Sequence, residues 1–151
     1  MSTVTATRQL VVCALGAEEY GLPVEQVREI VRYSDPRPVA SDVPWMRGVV
    51  SLRGRLVPVH DLAVRLGLGV VTSPAGVRSR SPEDETHIPP PTAKLVIVET
   101  ADEPFGVLVD DVIEVLTVNA EQIEPVPSGS GQIARVGERL VLLLDGDELG
   151  A

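Results

Sequence analysis

The stretch Gln9-Leu-Val-Val-Cys-Ala-Leu-Gly-Ala-Glu-Glu-Tyr-Gly-Leu-Pro-Val-Glu-Gln-Val-Arg-Glu-Ile-Val31 returns 85 positions later as Lys94-Leu-Val-Ile-Val-Glu-Thr-Ala-Asp-Glu-Pro-Phe-Gly-Val-Leu-Val-Asp-Asp-Val-Ile-Glu-Val-Leu116, without a gap. Leu10 falls on Leu95, Tyr20 on Phe105, Gly21 on Gly106, Val27 on Val112 and Glu29 on Glu114. Glycine, aromatic and acidic positions agree as well as the apolar ones, which marks a duplicated unit rather than two Val-rich segments. Further along, Arg55-Leu-Val-Pro-Val-His-Asp61 matches Arg139-Leu-Val-Leu-Leu-Leu-Asp145. Gly54 is set near Gly137 by allowing one extra residue, Glu138, which puts Val136 opposite Arg53.

The unit reads as β structure. Leu10 to Leu15 is a β-branched-rich run closed by Gly16, and Glu19 to Leu22 follows at hairpin distance. Pro23 can open a short helical turn over Val24 to Gln26, after which Val27 to Arg32 resumes as a strand. Gly48 to Leu52 and Leu56 to Val59 form a second hairpin turning at Arg53-Gly54-Arg55. Asp61 is placed to cap a short helix, Leu62 to Leu66, ended by Gly67. The second copy predicts strands near Leu95–Glu99, Phe105–Val109, Val112–Val118, Gln132–Val136 and Leu140–Leu144.

Five short strands per copy suit a small barrel, and a lobe of that size gains from packing on its twin. The predicted fold is therefore all-β with short helices: two tandem, pseudo-repeated five-stranded barrels side by side. Residues 1–8 read as a flexible start, 9–69 as the first lobe and 94–151 as the second. Between them, 70–93 holds Ser73-Pro74, Ser81-Pro82, Glu83-Asp-Glu85 and Pro89-Pro-Pro91, a polar, proline-rich connector expected to be mobile.

Charge and composition exclude several functions. The net charge of −9 is uneven: residues 94–151 carry 3 basic and 12 acidic side chains, residues 1–69 carry 8 and 7. Neither half has the clustered positive charge of a duplex-DNA binder. Aromatics are 3% of the chain (Tyr20, Tyr33, Trp45 and Phe105), too few to stack single-stranded nucleic acid. Cys13 is the only cysteine, which points to a reducing compartment. The start lacks a secretory pattern and no apolar run approaches the ~20 residues of a membrane helix, so a cytoplasmic protein without direct membrane insertion is expected.

Enzymatic chemistry is missing from the residues. His60 beside Asp61 reads as a structural histidine, and His87 lies alone in the connector. Two histidines and one cysteine at these separations give no metal spacing. Cys13 sits in a core pattern. Gly129-Ser-Gly-Gln-Ile-Ala134 fits the loose dinucleotide fingerprint, but a strand pattern follows it where a helix is required. Asp110-Asp111 and Asp145 with Asp147 stand at turn and helix-start positions, where carboxylates belong anyway. The expectation is a non-enzymatic binding module with no cofactor or metal.

The stretches Leu15-Gly-Ala-Glu-Glu-Tyr-Gly21, Val27-Arg-Glu-Ile30 and Met46-Arg-Gly-Val-Val-Ser-Leu-Arg-Gly-Arg-Leu-Val-Pro-Val-His-Asp-Leu62 resemble the chemotaxis coupling-protein family (CheW-like). Phe105-Gly-Val-Leu-Val-Asp-Asp-Val-Ile-Glu-Val115 with Ala120-Glu-Gln-Ile123 resembles its second half. The resemblance covers roughly 9–68 and 94–149. It implies paired five-stranded barrels and an adaptor that links the cytoplasmic tips of methyl-accepting chemoreceptors to the regulatory domain of the histidine kinase CheA, at membrane receptor arrays. A role in a non-flagellar pathway (pili, gliding or development), with receptor but not kinase binding, is the alternative it leaves open. Arg53 is the implied partner-binding position, with Leu52, Gly48 and Glu29 around it. Val27, Ile30, Val112 and Val115 are the candidate lining for a receptor helix, at least two of them expected to be ordinary core. The sequence departs from the family at Ser51 (usually Asn), at His60 (usually apolar), in a shortened 128–131 loop, in a lengthened 70–92 segment and in lacking a C-terminal helical tail.

Overall fold

The computed structural model describes residues 7–66, 89–100, 103–127, 129 and 131–149. Residues 1–6 of the predicted flexible start and most of the predicted connector, with His87, lie outside the described residues, while Thr7 and Arg8, also placed in that start, belong to the first strand.

Among the described residues eleven strands form two sheets. The first copy supplies β1 (Thr7–Leu15), β2 (Glu18–Pro23), β3 (Val27–Arg32), β4 (Met46–Leu52) and β5 (Arg55–Asp61). The second supplies β6 (Lys94–Val98), β7 (Phe105–Val109), β8 (Asp111–Asn119), β9 (Ile123–Pro125), β10 (Gln132–Val136) and β11 (Arg139–Leu143). Among the described residues two 3-10 turns, over Val24–Gln26 and Ala120–Gln122, and two one-turn helices, α1 (Leu62–Arg65) and α2 (Gly146–Leu149), accompany the strands. The all-β, twofold-repeated architecture is as the sequence predicts. The short β9, at one edge of its sheet, was not anticipated.

The division of strands differs from the tandem expectation. One sheet runs β8-β1-β2-β11-β10-β9, the other β3-β6-β7-β5-β4. Each copy lends its first hairpin to the other copy's sheet, so 9–69 and 94–151 are not two separate sheets. The two orders coincide strand for strand under the repeat: β8 stands for β3, β1 for β6, β2 for β7, β11 for β5 and β10 for β4. Parallel pairing of β2 with β11 and of β7 with β5 joins each borrowed hairpin to its host.

The exchange has a cause in burial. β1 and β6 are covered on both faces, which a continuous apolar run tolerates and an alternating one does not. Leu10 and Val12 face a core with Val118, Ala134 and Val141. Val11, Cys13 and Leu15 face the opposite way, into a core shared with Val96, Val98, Phe105, Val107 and Val109. On β6, Leu95 and Ile97 face a third core, with Val57, Val59 and Leu108. The two copies are thus welded by a common apolar layer, in which Tyr20 and Phe105 occupy equivalent places. Burial pushes the Cys13 thiol up to about 12, so it is a packing group rather than a nucleophile.

Asp61 caps α1 as predicted, its carboxylate accepting the Val64 N–H at 3.3 Å. The cap holds Leu62 and Ala63 in the shared core.

Candidate functional site

The β4–β5 turn is the first unusual feature. Leu52 pairs with Arg55, leaving a two-residue loop of Arg53 (φ 54°) and Gly54 (φ 78°). Positive φ at both positions is the type I′ turn, which favours Asn or Gly first. Arg53 is the only non-glycine with positive φ among the described residues. Its counterpart emerges from the strand register: Val136 pairs with Arg139, so the loop of the second copy is Gly137-Glu138, with Gly137 at φ 62°. Arg53 therefore corresponds to Gly137, not to Val136, and no extra residue is needed. The second copy has glycine at this position but no positive φ at Glu138, so the two turns differ in type, and only the turn at 53–54 holds a non-glycine residue in left-handed backbone.

Arg53 Nη1 lies 2.8 Å from a Glu29 carboxylate oxygen. The pair spans the curl of the sheet, from the β4–β5 turn to β3 at the opposite edge. The arginine side chain is 74% exposed, so the pair contributes about 1 kcal/mol or less to stability, no more than left-handed backbone costs a non-glycine residue.

Arg53, Glu29 and Leu52 share a groove of about 140 Å³. Leu52, Val57 and Ile97 supply its apolar part, and Arg28, Arg55 and Pro104 complete the lining. Arg28 is held 2.7 Å from Glu99. Sequence reasoning missed Arg28, Arg55 and Pro104; comparing each with its repeat counterpart, Ile113, Arg139 and Glu19, is the signal that finds them. A larger hollow of about 450 Å³ lies on the other sheet, lined in part by Arg8, Glu25, Asp145 and Glu148, and contains none of the predicted site residues.

Gly48 stands apart from the groove. It is buried on β4 at φ 143°, and a Cβ there would come within 2.2 Å of the Arg37 carbonyl oxygen. Arg37 and Val49 exchange backbone hydrogen bonds of 2.8 and 2.9 Å beside it, covering the outer edge of β4. Gly48→Ala is expected to destabilise by about 2 kcal/mol or more, as strained backbone and a main-chain clash combine, checked by urea unfolding.

The four predicted groove-lining aliphatics divide in two. Val27 and Val112 are half-buried against the shared core. Ile30 and Val115, equivalent in the repeat, are 40% and 53% exposed. They sit on β3 and β8, the edge strands of their sheets, opposite Val96 and Val11 respectively.

His60, on β5, stacks on Phe105 with ring centroids 4.8 Å apart. Burial, and secondarily the Arg65 charge, lower its pKa from the ordinary 6.5. Below that ordinary value the unfolded chain takes up the proton before the folded one does, so stability falls with falling pH. Unfolding free energy is expected to drop between pH 7.5 and 5.5, with His60→Leu flattening that decline in denaturant titrations at each pH.

Among the described residues no group of three or more His, Cys, Asp or Glu side chains could hold a metal ion, and no helix is long and apolar enough to cross a membrane. What the geometry offers is a strained, exposed arginine on a groove of mixed charged and apolar lining, and paired exposed aliphatics at the sheet edges. A family model described as CheW-like domain matches residues 9–151. The chain belongs to the CheW-like domain family. It is 29% identical to the chemotaxis protein CheW of Klebsiella aerogenes, over 96% of this chain and 82% of that protein. It is 32% identical to a probable chemotaxis protein CheW of Rhizobium etli, over 91% of this chain and 79% of the relative. The crystal structure of the scaffolding protein TtCheW from Thermoanaerobacter tengcongensis superposes with a TM-score of 0.72 at 25% identity, covering 91% of this chain and 88% of that one. The hairpin-exchanged double sheet is thus the CheW-like fold carried by a chemotaxis-type chain.

Proposed function

We propose that this CheW-like chain is a non-enzymatic adaptor that couples chemoreceptor cytoplasmic tips to the regulatory domain of the histidine kinase CheA, and is held at receptor arrays by those contacts. The observation that carries the reading is Arg53: it holds left-handed backbone that suits glycine or asparagine better, and the second copy has glycine at this position, so the turn itself does not call for arginine. A guanidinium on a two-residue turn presents a fork of donors to a carboxylate, and Leu52 and Glu29 beside it add an apolar surface and a second charge. Ile30 and Val115, with Val27 and Val112 behind them, are suited to the apolar face of a receptor helix. Gly48 contributes indirectly, by fixing the strand that leads to the turn.

Isothermal titration of the full chain with a receptor signalling hairpin and with the kinase regulatory domain tests this. Saturable 1:1 binding to both is expected. Ile30→Glu and Val115→Glu, each at an exposed position, should weaken the receptor hairpin at least tenfold with an unchanged circular-dichroism spectrum. Wild-type protein that binds neither partner would refute the adaptor role.

A further inference from the structure

The internal repeat sets two corners of the molecule side by side, one closed and one open. In the first copy Asp61 stands where β5 meets α1, and Arg47 of β4 fills the space beside it. Arg47 Nη1 lies 2.9 Å from Asp61 Oδ2, and the two side chains are 17% and 1% exposed. The strand registers give the counterparts: β5 and β11 align Asp61 with Asp145, while β4 and β10 align Arg47 with Gly131. The carboxylate is kept and the guanidinium is not. A Cβ on Gly131 would meet no heavy atom within 4 Å. Where Arg47 sits in one copy, the other has the hollow of about 450 Å³, with Gly131 and Asp145 both in its wall.

Asp145 is held in position from one side only. Its Oδ1 accepts from Gln26 Nε2 at 3.1 Å and from the Asp147 N–H at 2.9 Å. Gln26 is fixed in turn by accepting the Gly146 N–H at 2.7 Å. The other oxygen, Oδ2, matches the atom of Asp61 that takes Arg47, and it accepts from none of the described residues. Glu25, Glu148 and Arg8 share the hollow, which gives it a net charge of −2. Among the described residues none of these four charged side chains forms an ion pair. Val64 stands where Glu148 does in the repeat, so part of this charge belongs to the open corner alone. Leu10 and Leu143 supply an apolar wall. The volume falls in the range of small-molecule sites, roughly 300–1,000 Å³.

We propose that this hollow binds a small aliphatic amine carrying a guanidinium group. The guanidinium takes Asp145 as Arg47 takes Asp61, the methylene chain lies along Leu10 and Leu143, and the amine end reaches Glu25 or Glu148. A planar fork of donors suits the carboxylate better than a point charge does, and the net charge of −2 selects a dication over a singly charged ligand. The inference goes beyond the adaptor reading and does not rest on it.

Amide NMR titration of the full chain tests this with three probes: agmatine, its neutral-headed analogue N-carbamoylputrescine, and ethylguanidine, which copies an arginine side chain of a protein. Agmatine should shift the amides of Gly131, Gln132 and Asp145 to Leu149 saturably, with Kd below about 1 mM, and more weakly as salt is raised. N-carbamoylputrescine and ethylguanidine should each bind at least tenfold more weakly. Asp145→Asn keeps an oxygen for the Asp147 N–H and the Gln26 amide, and should weaken agmatine at least tenfold with an unchanged circular-dichroism spectrum. The double variant Glu25→Gln, Glu148→Gln, at exposed positions that leave those bonds in place, should bring agmatine down to the affinity of ethylguanidine. Site amides unmoved by agmatine, or undiminished affinity in Asp145→Asn, would overturn the proposal. So would N-carbamoylputrescine binding as tightly as agmatine, which removes the guanidinium, or ethylguanidine doing so, which gives the hollow to a protein's arginine instead.

Discussion

Asp61→Ala is expected to lower the unfolding free energy by about 3–5 kcal/mol, the loss usual when one partner of a buried ion pair is removed. Asp61 is 1% exposed. One carboxylate oxygen accepts from Arg47 Nη1 at 2.9 Å, while the other caps α1 through the Val64 N–H. Arg47 also donates to the Tyr33 hydroxyl at 3.3 Å and is largely buried itself. Truncation at 61 removes the carboxylate that faces that largely buried guanidinium and frees the helix that carries Leu62 and Ala63 into the shared core. For a chain of this length the loss corresponds to roughly 10 °C in Tm. Differential scanning calorimetry reads it directly, and a double replacement of Arg47 and Asp61 by Met and Leu should recover most of the loss.

Arg53→Asn separates stability from function. Asn suits a left-handed turn position better than Arg, and the exposed pair with Glu29 contributes little. Unfolding free energy should change by no more than about 0.5 kcal/mol, since the two small terms oppose each other. Affinity for the receptor hairpin or the kinase domain should fall at least tenfold, as for a truncated arginine at an interface centre. A variant that loses several kcal/mol of stability, or that binds both partners as tightly as before, would remove Arg53 from the interface.

The repeat made most of the fold legible. Agreement between 9–31 and 94–116 located the strands, and Asp61 announced the helix it caps. The exchange of first hairpins was not legible, because period and propensity say where a strand lies but not which strand lies beside it. A clue was present: Leu10–Leu15 and Leu95–Val98 are continuous apolar runs, the pattern of strands covered on both faces, while Val27–Arg32 is interrupted by Arg28, Glu29 and Arg32, as a strand open to solvent on one face is. Three-residue β9 was too short to show a period. At the site, Arg53, Leu52 and Glu29 were identified by resemblance and share one groove, whereas Gly48 answers to a backbone contact with Arg37 that no local pattern encodes. The counterpart of Arg53 was misplaced by one residue because two turns of equal length were aligned on their glycines, which occupy different turn positions.

Sedimentation velocity of a mixture of receptor hairpin, kinase regulatory domain and this chain tests the bridging claim most directly. A single ternary species is predicted, with its mass the sum of the three components. It should disappear when the chain is omitted and be sharply depleted when Arg53→Glu replaces wild type. Receptor and kinase co-sedimenting without the chain, or the chain binding one partner only to the exclusion of the other, would contradict it.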